Sequence, residues 1–414
     1  MWKVAYNIAV TTILPFFLVF AMTKRKIRKN LIERLFPKVE RTRMGKTIWV
    51  HAASVGEAAI AEALINFMKT MAGFKDFVVT TNTYYTRDLL KKRLDSDVGV
   101  FSLPFDLRHS LRRFMSRSAF SALIIIETEL WPNLIWEAKK QRIPVLIVNG
   151  RISDSTLESY RRFSFFLKHV LSGVNLVLAQ SEEHAGRFVS IGMDKTRVIN
   201  GGNMKYYRKI LDDGLNTEKE NIVTFGSIKE KELATLLPVI IDLRRSHPEV
   251  LIFVVPRDLL LVSAVEEGLS AFLGTMRYSS FRETKESRVD AVIVDTVGDL
   301  LDIYRKSKLA FVGGSLAPYG GQNILEPLFF GTPVIFGPHM ENFKEIANTV
   351  VEEGAGLQVN TGEELYRSIE LLLKDESLRG KMGAKGMKVI GMQRMVMEKA
   401  VEAILRVIRE KDIN

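Results

Sequence analysis

Short runs of β-branched and apolar residues alternate along the chain with longer stretches whose apolar residues recur every three or four positions. The short runs are typical of strands buried on both faces of a parallel sheet, and the longer stretches are typical of helices that cover it. Strands are predicted at residues 47–52, 77–81, 98–103, 122–126, 145–149, 176–180, 221–225, 250–255, 291–295, 309–312, 333–336 and 356–359. Helices are predicted between most of them, for example at 57–70, 130–141 and 229–245. This order predicts an α/β protein with two doubly wound domains.

A polar segment that contains Gly201, Gly202 and Gly214 separates the two sets of strands. We therefore expect an N-terminal anchor and basic segment, a first domain, a second domain and a C-terminal helix that packs back toward the first domain, at residues 1–30, 31–205, 206–385 and 386–414. Ligands of open α/β sheets bind beyond the carboxyl ends of the strands. The loops after the strands are where chemistry is expected.

Residues 4–22 are apolar except for Asn7, Thr11, Thr12 and Pro15, and a strongly basic stretch follows at 24–29. A cleaved signal peptide carries its positive charge before the apolar run, whereas here the charge follows it. The pattern favours an uncleaved anchor with the rest of the chain on the cytoplasmic side of the membrane. A buried helix of a soluble protein stays open as the alternative, as does a helix that dips into the bilayer without spanning it.

Composition narrows the choice of partners and of chemistry. The 414 residues carry 59 Lys and Arg against 48 Asp and Glu, and a net charge of +11 favours an anionic partner such as a membrane surface or a phosphorylated substrate. No nucleic-acid partner is predicted, because no DNA- or RNA-binding motif is found. The lack of cysteine excludes disulfides, thiolate nucleophiles and Cys-based metal sites. The six scattered histidines predict no metal, and no cofactor is expected.

The loop after the first predicted strand has two compatible interpretations. Ser54 and Glu57 have the spacing of a capping box, in which each side chain bonds the other residue's backbone at a helix start. A carboxylate at a helix N-terminus is also kept ionised by the helix dipole. If Glu57 faces a cleft, it can accept a hydroxyl proton as a general base.

Two further loops carry charged candidates. Glu127 and Glu129 follow the strand at 122–126, and two carboxylates there are costly to bury without partners. The structural interpretation is that one caps the next helix, with Pro132 in its first turn, and that the other is solvated. Lys205 follows the Gly201-Gly202 pair. A lone lysine is usually a surface charge, but one at a cleft mouth can neutralise a phosphate or carboxylate.

In the second half, Pro256-Arg257 ends a strand, where an arginine is well placed for a phosphate. Gly313-Gly314-Ser315 and Gly320-Gly321 follow another strand, and their glycines allow backbone N–H groups to approach a phosphate. An ordinary glycine-rich turn is the competing interpretation. Asn323 and Glu326 also have capping-box spacing, but Pro327 favours a helix that starts after Asn323.

These segments, taken in order, resemble the 3-deoxy-D-manno-octulosonic acid (Kdo) transferases of lipopolysaccharide biosynthesis. The resemblance covers nearly the whole chain: the apolar N-terminus and basic segment, 54–57, 127–133, 149–153, Lys205, 255–257, 295–299, 313–316, 320–327, 337–340 and 342–343. It implies a metal-independent, inverting glycosyltransferase of GT-B type, with two Rossmann-like domains facing a cleft. The implied donor is CMP-Kdo, and the implied acceptor is a lipid A precursor at the cytoplasmic face of the inner membrane.

The resemblance also implies roles for individual residues. Glu57 would be the general base, and Glu127 and Lys205 would stabilise the transition state. The residues expected to hold CMP are Pro256, Arg257, Val297, Gly298, Asp299, Asn323, Ile324, Leu325 and Glu326. The alternative is another nucleotide-sugar enzyme of the same fold, such as a UDP-sugar transferase or epimerase.

Overall fold

The structure is a computed structural model that describes residues 1–23, 30–37, 47–207, 218–284 and 289–413. The chain forms two compact units, one made of Met1–Arg208 with Gln393–Asn414 and the other of Lys209–Met392. The basic residues predicted to follow the apolar N-terminus, at 24–29, lie outside the described residues.

The first unit is built on a seven-stranded sheet in the order β3-β2-β1-β4-β5-β6-β7. Its strands are β1 (Thr47–His51), β2 (Phe77–Thr81), β3 (Gly99–Ser102), β4 (Phe120–Ile126), β5 (Val145–Gly150), β6 (Leu176–Ala179) and β7 (Val198–Asn200). Every pair is parallel. The strands β1 and β4 are neighbours in register, with Val50 opposite Ile124.

Helices cover both faces of this sheet. They are α1 (Trp2–Thr23), α2 (Leu31–Leu35), α3 (Val55–Ala72), α4 (Tyr84–Arg93), α5 (Arg108–Met115), α6 (Pro132–Lys140), α7 (Asp154–Arg162), α8 (Ser164–Leu171) and α9 (Glu182–Ser190). Side chains that alternate along each strand enter two separate cores, one around Trp49 and Phe114 and the other around Ile48 and Leu64. The two-sided burial explains why the strands read as continuous apolar runs.

The second unit repeats the plan, with the strand order β10-β11-β9-β8-β12-β13-β14. Its strands are β8 (Ile222–Ile228), β9 (Leu251–Pro256), β10 (Thr275–Arg277), β11 (Ala291–Ile293), β12 (Leu309–Val312), β13 (Val334–Phe336) and β14 (Gly356–Gln358). Its helices are α10 (Leu233–Ser246), α11 (Val262–Ser270), α12 (Tyr278–Thr284), α13 (Leu300–Lys306), α14 (Leu325–Leu328), α15 (Lys344–Glu352) and α16 (Gly362–Lys374). All the strand pairs are again parallel.

The last helix, α17 (Glu376–Ile413), passes from the second unit to the first. Near its start Met382 is buried in the core of the second unit. Further along, Met397, Val401 and Ile404 are buried in the core around Ile48. The predicted helix at 378–410 is therefore confirmed.

The twelve predicted strands are all present, and the α/β class with two doubly wound sheets is confirmed. The pattern missed β7 and β10, which lie at sheet edges and are three residues long. Their residues are half-buried or exposed, and neither strand is a continuous apolar run. The helix predicted at 229–245 begins at Leu233, after a 3₁₀ turn over Glu230–Glu232.

Candidate functional site

The candidate site of the first unit lies at the switch point of its sheet, where the chain stops adding strands on one side of β1 and begins to add them on the other. From β1 the chain adds β2 and β3 on one side, and it then crosses to β4 on the other. Loops after the two strands at such a switch point form the usual ligand crevice of an open α/β sheet. Glu57 follows β1 and Glu127 follows β4, so the topology brings these two predicted residues to one edge of the sheet.

Glu57 is held in the first turn of α3 by hydrogen bonds to the Ser54 side chain and to the Ala53 backbone. The Ser54 hydroxyl accepts from the Glu57 N–H at 3.3 Å. In return one carboxylate oxygen of Glu57 accepts from the Ala53 N–H at 2.7 Å and the other accepts from the Ser54 hydroxyl at 2.8 Å. The side chain is 8% exposed. Ser54 is confirmed as the N-cap, but the return bond of the predicted capping box goes to the Ala53 N–H and not to the Ser54 N–H. Each carboxylate oxygen keeps lone-pair capacity for a further proton donor.

Glu127 occupies an unusual backbone position. Its φ is 60°, a left-handed conformation that residues other than glycine seldom adopt. Its N–H donates to the Val148 carbonyl at 2.9 Å, which ties the loop to β5. Burial raises the pKa of the Glu127 carboxyl, and the negative charge of Glu57 raises it further, against the opposing charges of Arg151 and Lys205. The carboxylate is thus electrostatically coupled to Glu57.

Glu129 is a third carboxylate of the same group. It accepts from the Trp131 indole N–H at 2.7 Å and from the Asn82 amide at 3.3 Å. Burial raises its pKa, and the charge of Glu57 acts in the same direction. The prediction that one of Glu127 and Glu129 caps α6 is wrong. Pro132 is the first residue of α6 as predicted, and the Asp106 carboxylate accepts from the Asn133 and Leu134 N–H groups.

Lys205 is brought to this group by β5. Asn149 has a φ of 59° at an irregularity in β5, and its side-chain oxygen accepts from the Met204 N–H at 2.9 Å. This bond fixes a short 3₁₀ turn, Met204–Tyr206, in which Lys205 is exposed. The positive charge of Lys205 acts on Glu127. The structure therefore assembles Glu57, Glu127 and Lys205 within one unit, and their catalytic roles remain predictions.

We expect Glu127→Gln to stabilise the first unit at alkaline pH. Because folding raises the pKa of Glu127, its ionisation opposes folding above that pKa and has no effect well below the unfolded value. The gain in Tm from the neutral glutamine should therefore be larger at about pH 8 than at about pH 5. Thermal unfolding at both pH values tests this, with exposed Glu158→Gln as the control. An equal gain at both pH values would contradict the assigned shift.

The switch point of the second unit lies between β8 and β12. The loop after β12 contains the glycines predicted to offer N–H groups to a phosphate. Here the prediction for 313–315 is wrong, because a protein carboxylate already occupies those N–H groups. Glu232 accepts from Gly314, Ser315 and Leu316 at 2.7, 3.0 and 2.9 Å, and from Lys229 at 2.9 Å. Glu232 is 1% exposed and builds the loop from inside.

In the second glycine stretch both glycines are buried, and the Gly321 N–H donates to the Gly314 carbonyl at 2.7 Å, whereas Gln322 and Asn323 are half-buried. Gly320 and Gly321 both have positive φ, and a Cβ on Gly320 would lie 2.2 Å from the Asn342 side chain, so glycine is required there. Helix α14 begins at Leu325, after Asn323, as Pro327 favoured. Ile324 and Leu325 bury their side chains completely, so only their backbone can face a ligand. The Asn323 amide donates to Glu326 at 3.2 Å.

The other residues predicted to bind the donor differ in their exposure and in their hydrogen bonding. Pro256 is buried, and Arg257 is exposed just past β9, with its N–H bonded to the Ile228 carbonyl. Val297 and Gly298 are exposed. Asp299 is engaged by the Thr296 hydroxyl at 2.5 Å and by Arg282 at 3.3 Å.

No cluster of His, Asp and Glu that could hold a metal ion is found among the residues that the structure describes. Sequence reasoning missed Glu232 and Asp106, whose partners are far away along the chain. It also assigned no role to Arg151, whose charge acts on Glu127.

Comparison with known proteins identifies relatives along the whole chain. Residues 29–208 match the family model of 3-deoxy-D-manno-octulosonic-acid transferases. The chain is 30% identical to the 3-deoxy-D-manno-octulosonic acid transferase of Haemophilus influenzae over 98% of both proteins. It is 29% identical to a bifunctional glycosyltransferase/methyltransferase of Fusobacterium nucleatum over 91% of this chain, and it spans 59% of that relative's length.

Solved structures share the fold at low identity. The UDP-GlcNAc 2-epimerase of Neisseria meningitidis matches with a TM-score of 0.55 at 11% identity, covering 86% of this chain and all of the epimerase. A glycosyltransferase of Rickettsia africae matches with a TM-score of 0.54 at 14% identity, covering 88% of this chain and 98% of that protein. These two matches support the GT-B type of fold and nothing more specific. The sequence relatives are more specific. Because of its similarity to them, the chain belongs to the 3-deoxy-D-manno-octulosonic acid transferase family of glycosyltransferases.

Proposed function

We propose that the protein transfers Kdo from CMP-Kdo to a lipid A precursor, at the cytoplasmic face of the inner membrane. The observation that carries the proposal is the Glu57 carboxylate, fixed at a sheet switch point beside Glu127 and near the charge of Lys205. Family membership supplies the Kdo unit and the link to lipopolysaccharide biosynthesis.

In the proposed reaction, a hydroxyl oxygen of the acceptor sugar attacks the anomeric carbon of Kdo. The bond between that carbon and the CMP phosphate oxygen breaks, and CMP leaves with the electron pair. Glu57 receives the hydroxyl proton as general base. A single displacement of this kind inverts the anomeric centre.

Charge balance around Glu57 supports this assignment. Three carboxylates, Glu57, Glu127 and Glu129, interact electrostatically in a partly buried setting. The negative charge of Glu57 acts on both neighbours and raises the pKa of Glu127 and of Glu129. Lys205 provides the opposite charge where the anionic donor would arrive.

The donor is assigned to the second unit. Arg257 is an exposed cation at the carboxyl end of β9, and the 320–323 stretch has backbone that is not used by Glu232. Both features suit the phosphate of a nucleotide. Val297, Gly298 and Asp299 would contact the nucleoside, and Asn323, Ile324, Leu325 and Glu326 would complete the site.

The test is an assay with CMP-Kdo and a tetra-acylated lipid A precursor, with the mass of the product measured. We expect one or more added Kdo units, and a larger thermal shift with CMP than with UDP. Arg257→Ala should reduce the CMP shift, whereas Lys381→Ala, which changes an exposed cation on α17 in the same unit, should leave it unchanged. Preference for UDP without Kdo transfer would instead support a UDP-sugar transferase or epimerase.

A further inference from the structure

Helix α1 is attached to the first unit along its whole length. Among the described residues, α1 is the one helix long and apolar enough to cross a membrane, with a mean hydropathy of 2.0 over its most apolar window. Its less exposed residues recur every three or four positions and form one stripe: Tyr6, Asn7, Val10, Leu14, Phe17, Leu18 and Ala21. Such a stripe is the signature of a helix lying against a protein surface.

Specific contacts fix the first turns of α1. The Tyr6 hydroxyl donates to the Asp106 carboxylate at 2.8 Å. The side-chain amides of Asn7 and Asn133 exchange hydrogen bonds at 3.0 and 3.1 Å. Asp106 also caps α6, so these bonds join α1 to a rigid element of the first unit.

The other end of α1 contacts the same unit. The ring of Phe17 packs edge-on against Phe105, with 5.4 Å between centroids. Phe105 is the immediate neighbour of Asp106, and Arg34 covers its ring at 4.4 Å. A helix of this length measures about 33 Å, close to the thickness of the hydrocarbon core. A spanning helix would separate its two ends across the bilayer, whereas here both ends remain bound to one unit.

The outward face of α1 carries large apolar side chains that are exposed. Its exposed residues include Val4, Ile8, Ile13, Phe16, Val19 and Phe20, of which Phe16 is 75% exposed. This face continues onto the junction of α7 and α8, where Phe163 and Phe165 are 59% and 54% exposed. Trp2 joins the two parts, with its ring 4.9 Å from that of Phe165. We call this set of residues the lipid-facing surface.

Cations flank the lipid-facing surface. A groove of about 760 Å³ beside α1 is lined by Lys3, Arg108 and Lys140. The acidic residue in its wall, Glu137, is already paired with Arg108 and Arg112 at 3.0 and 2.7 Å. The groove therefore keeps an excess of positive charge, which complements the phosphates of anionic lipid headgroups.

We propose that α1 lies in the plane of the membrane as an interfacial helix, with the lipid-facing surface in one leaflet and the groove at the anionic headgroups. This deepens the membrane location of the proposed function, on which it rests. Because the inward stripe of α1 packs on the first unit, the helix and that unit together present an apolar outer face with basic flanks, which is suited to this position. Both termini of α1 and the catalytic candidates then stay on the same side of the bilayer.

The absence of cysteine makes the test direct, since any introduced thiol is unique. Val4→Cys, Ile13→Cys, Phe20→Cys and Phe165→Cys variants of the full chain are labelled with an environment-sensitive fluorophore and bound to vesicles of phosphatidylethanolamine and phosphatidylglycerol. Lipids with quenchers at different depths then report the depth of each label. Lys91→Cys, exposed on α4, is the control that should remain in water.

An in-plane helix predicts one shallow depth at all four positions. A depth that is greatest at Ile13 and smaller at Val4 and Phe20 would show a spanning helix and overturn the proposal, and so would labels that all stay in water. Lys140→Gln should weaken vesicle binding about fivefold and only when anionic lipid is present. Kdo transfer is measured on the same preparations. A spanning α1 leaves the transfer reaction intact, so failure of the in-plane helix and failure of the proposed function give different results.

Discussion

Glu57→Gln is expected to abolish Kdo transfer while the protein stays folded and still binds CMP. Glutamine is also accepted at the third position of a capping box, because its side-chain oxygen can take the Ala53 N–H as the glutamate does. The start of α3 should therefore survive. What is lost is the group that accepts the hydroxyl proton, and general bases contribute about 10²- to 10⁴-fold to rate.

The measurement is the initial rate of transfer, with CMP binding followed separately by thermal shift. Glu62→Gln is the matched control, because Glu62 lies on the same helix and makes only a distant ion pair with Arg93 at 3.7 Å. Turnover within a few-fold of the parent in Glu57→Gln would remove the proposed base. Loss of both turnover and folding would return Glu57 to a purely structural role.

A second variant separates capping from chemistry at the same loop. Ser54→Ala removes the hydroxyl that caps α3 and that donates to Glu57 at 2.8 Å. Loss of an N-cap costs about 1 kcal/mol of stability. We expect a lower Tm with a much smaller loss of rate than in Glu57→Gln, since the base itself remains.

The parts of the site that the sequence predicts are those encoded over short distances. Ser54 and Glu57 are three residues apart, so the N-cap of α3 can be predicted from the chain. Glu127 follows a strand of continuous apolar residues, and its place after β4 could be predicted from that pattern. The order of the strands then determines that Glu57 and Glu127 meet, and only the structure gives that order.

Contacts between distant residues leave no local pattern. Glu232 bonds N–H groups more than 80 positions away, and Asp106 caps a helix start at Asn133. The prediction that the N–H groups of Gly314 and Ser315 receive a phosphate was wrong for this reason: the glycines were correctly seen as an anion cradle, but the anion is a side chain of the same unit. Composition cannot distinguish a bound anion from an internal one.

Glu232→Gln is expected to destabilise the second unit by about 2–4 kcal/mol. The ionised carboxylate accepts four backbone N–H groups, two on each oxygen. An amide has one oxygen, and its NH₂ group would face two donors that then lose their partner inside the protein. Hydrogen bonds to a charged acceptor and unsatisfied buried donors each carry a large penalty.

Unfolding of the two units can be followed separately, because tryptophan fluorescence reports the first unit alone. All four tryptophans belong to it: Trp2, Trp49, Trp131 and Trp136. In denaturant, circular dichroism should show an early transition in Glu232→Gln that tryptophan fluorescence does not follow. Glu230→Gln, an exposed neighbour in the same turn, is the control and should unfold like the parent. An unchanged dichroism midpoint would mean that the four N–H groups find other partners.

The affinity for the donor should fall when the loop that contains Gly314 and Ser315 is destabilised. The Gly314 carbonyl accepts from the Gly321 N–H at 2.7 Å, and the Ser315 carbonyl accepts from the His339 N–H at 2.9 Å. By fixing Gly314 and Ser315, Glu232 thus fixes the stretch proposed to receive the donor phosphate. We expect the thermal shift with CMP to shrink in Glu232→Gln even at temperatures where the unit remains folded, because a phosphate site made of backbone N–H groups depends on their preorganisation.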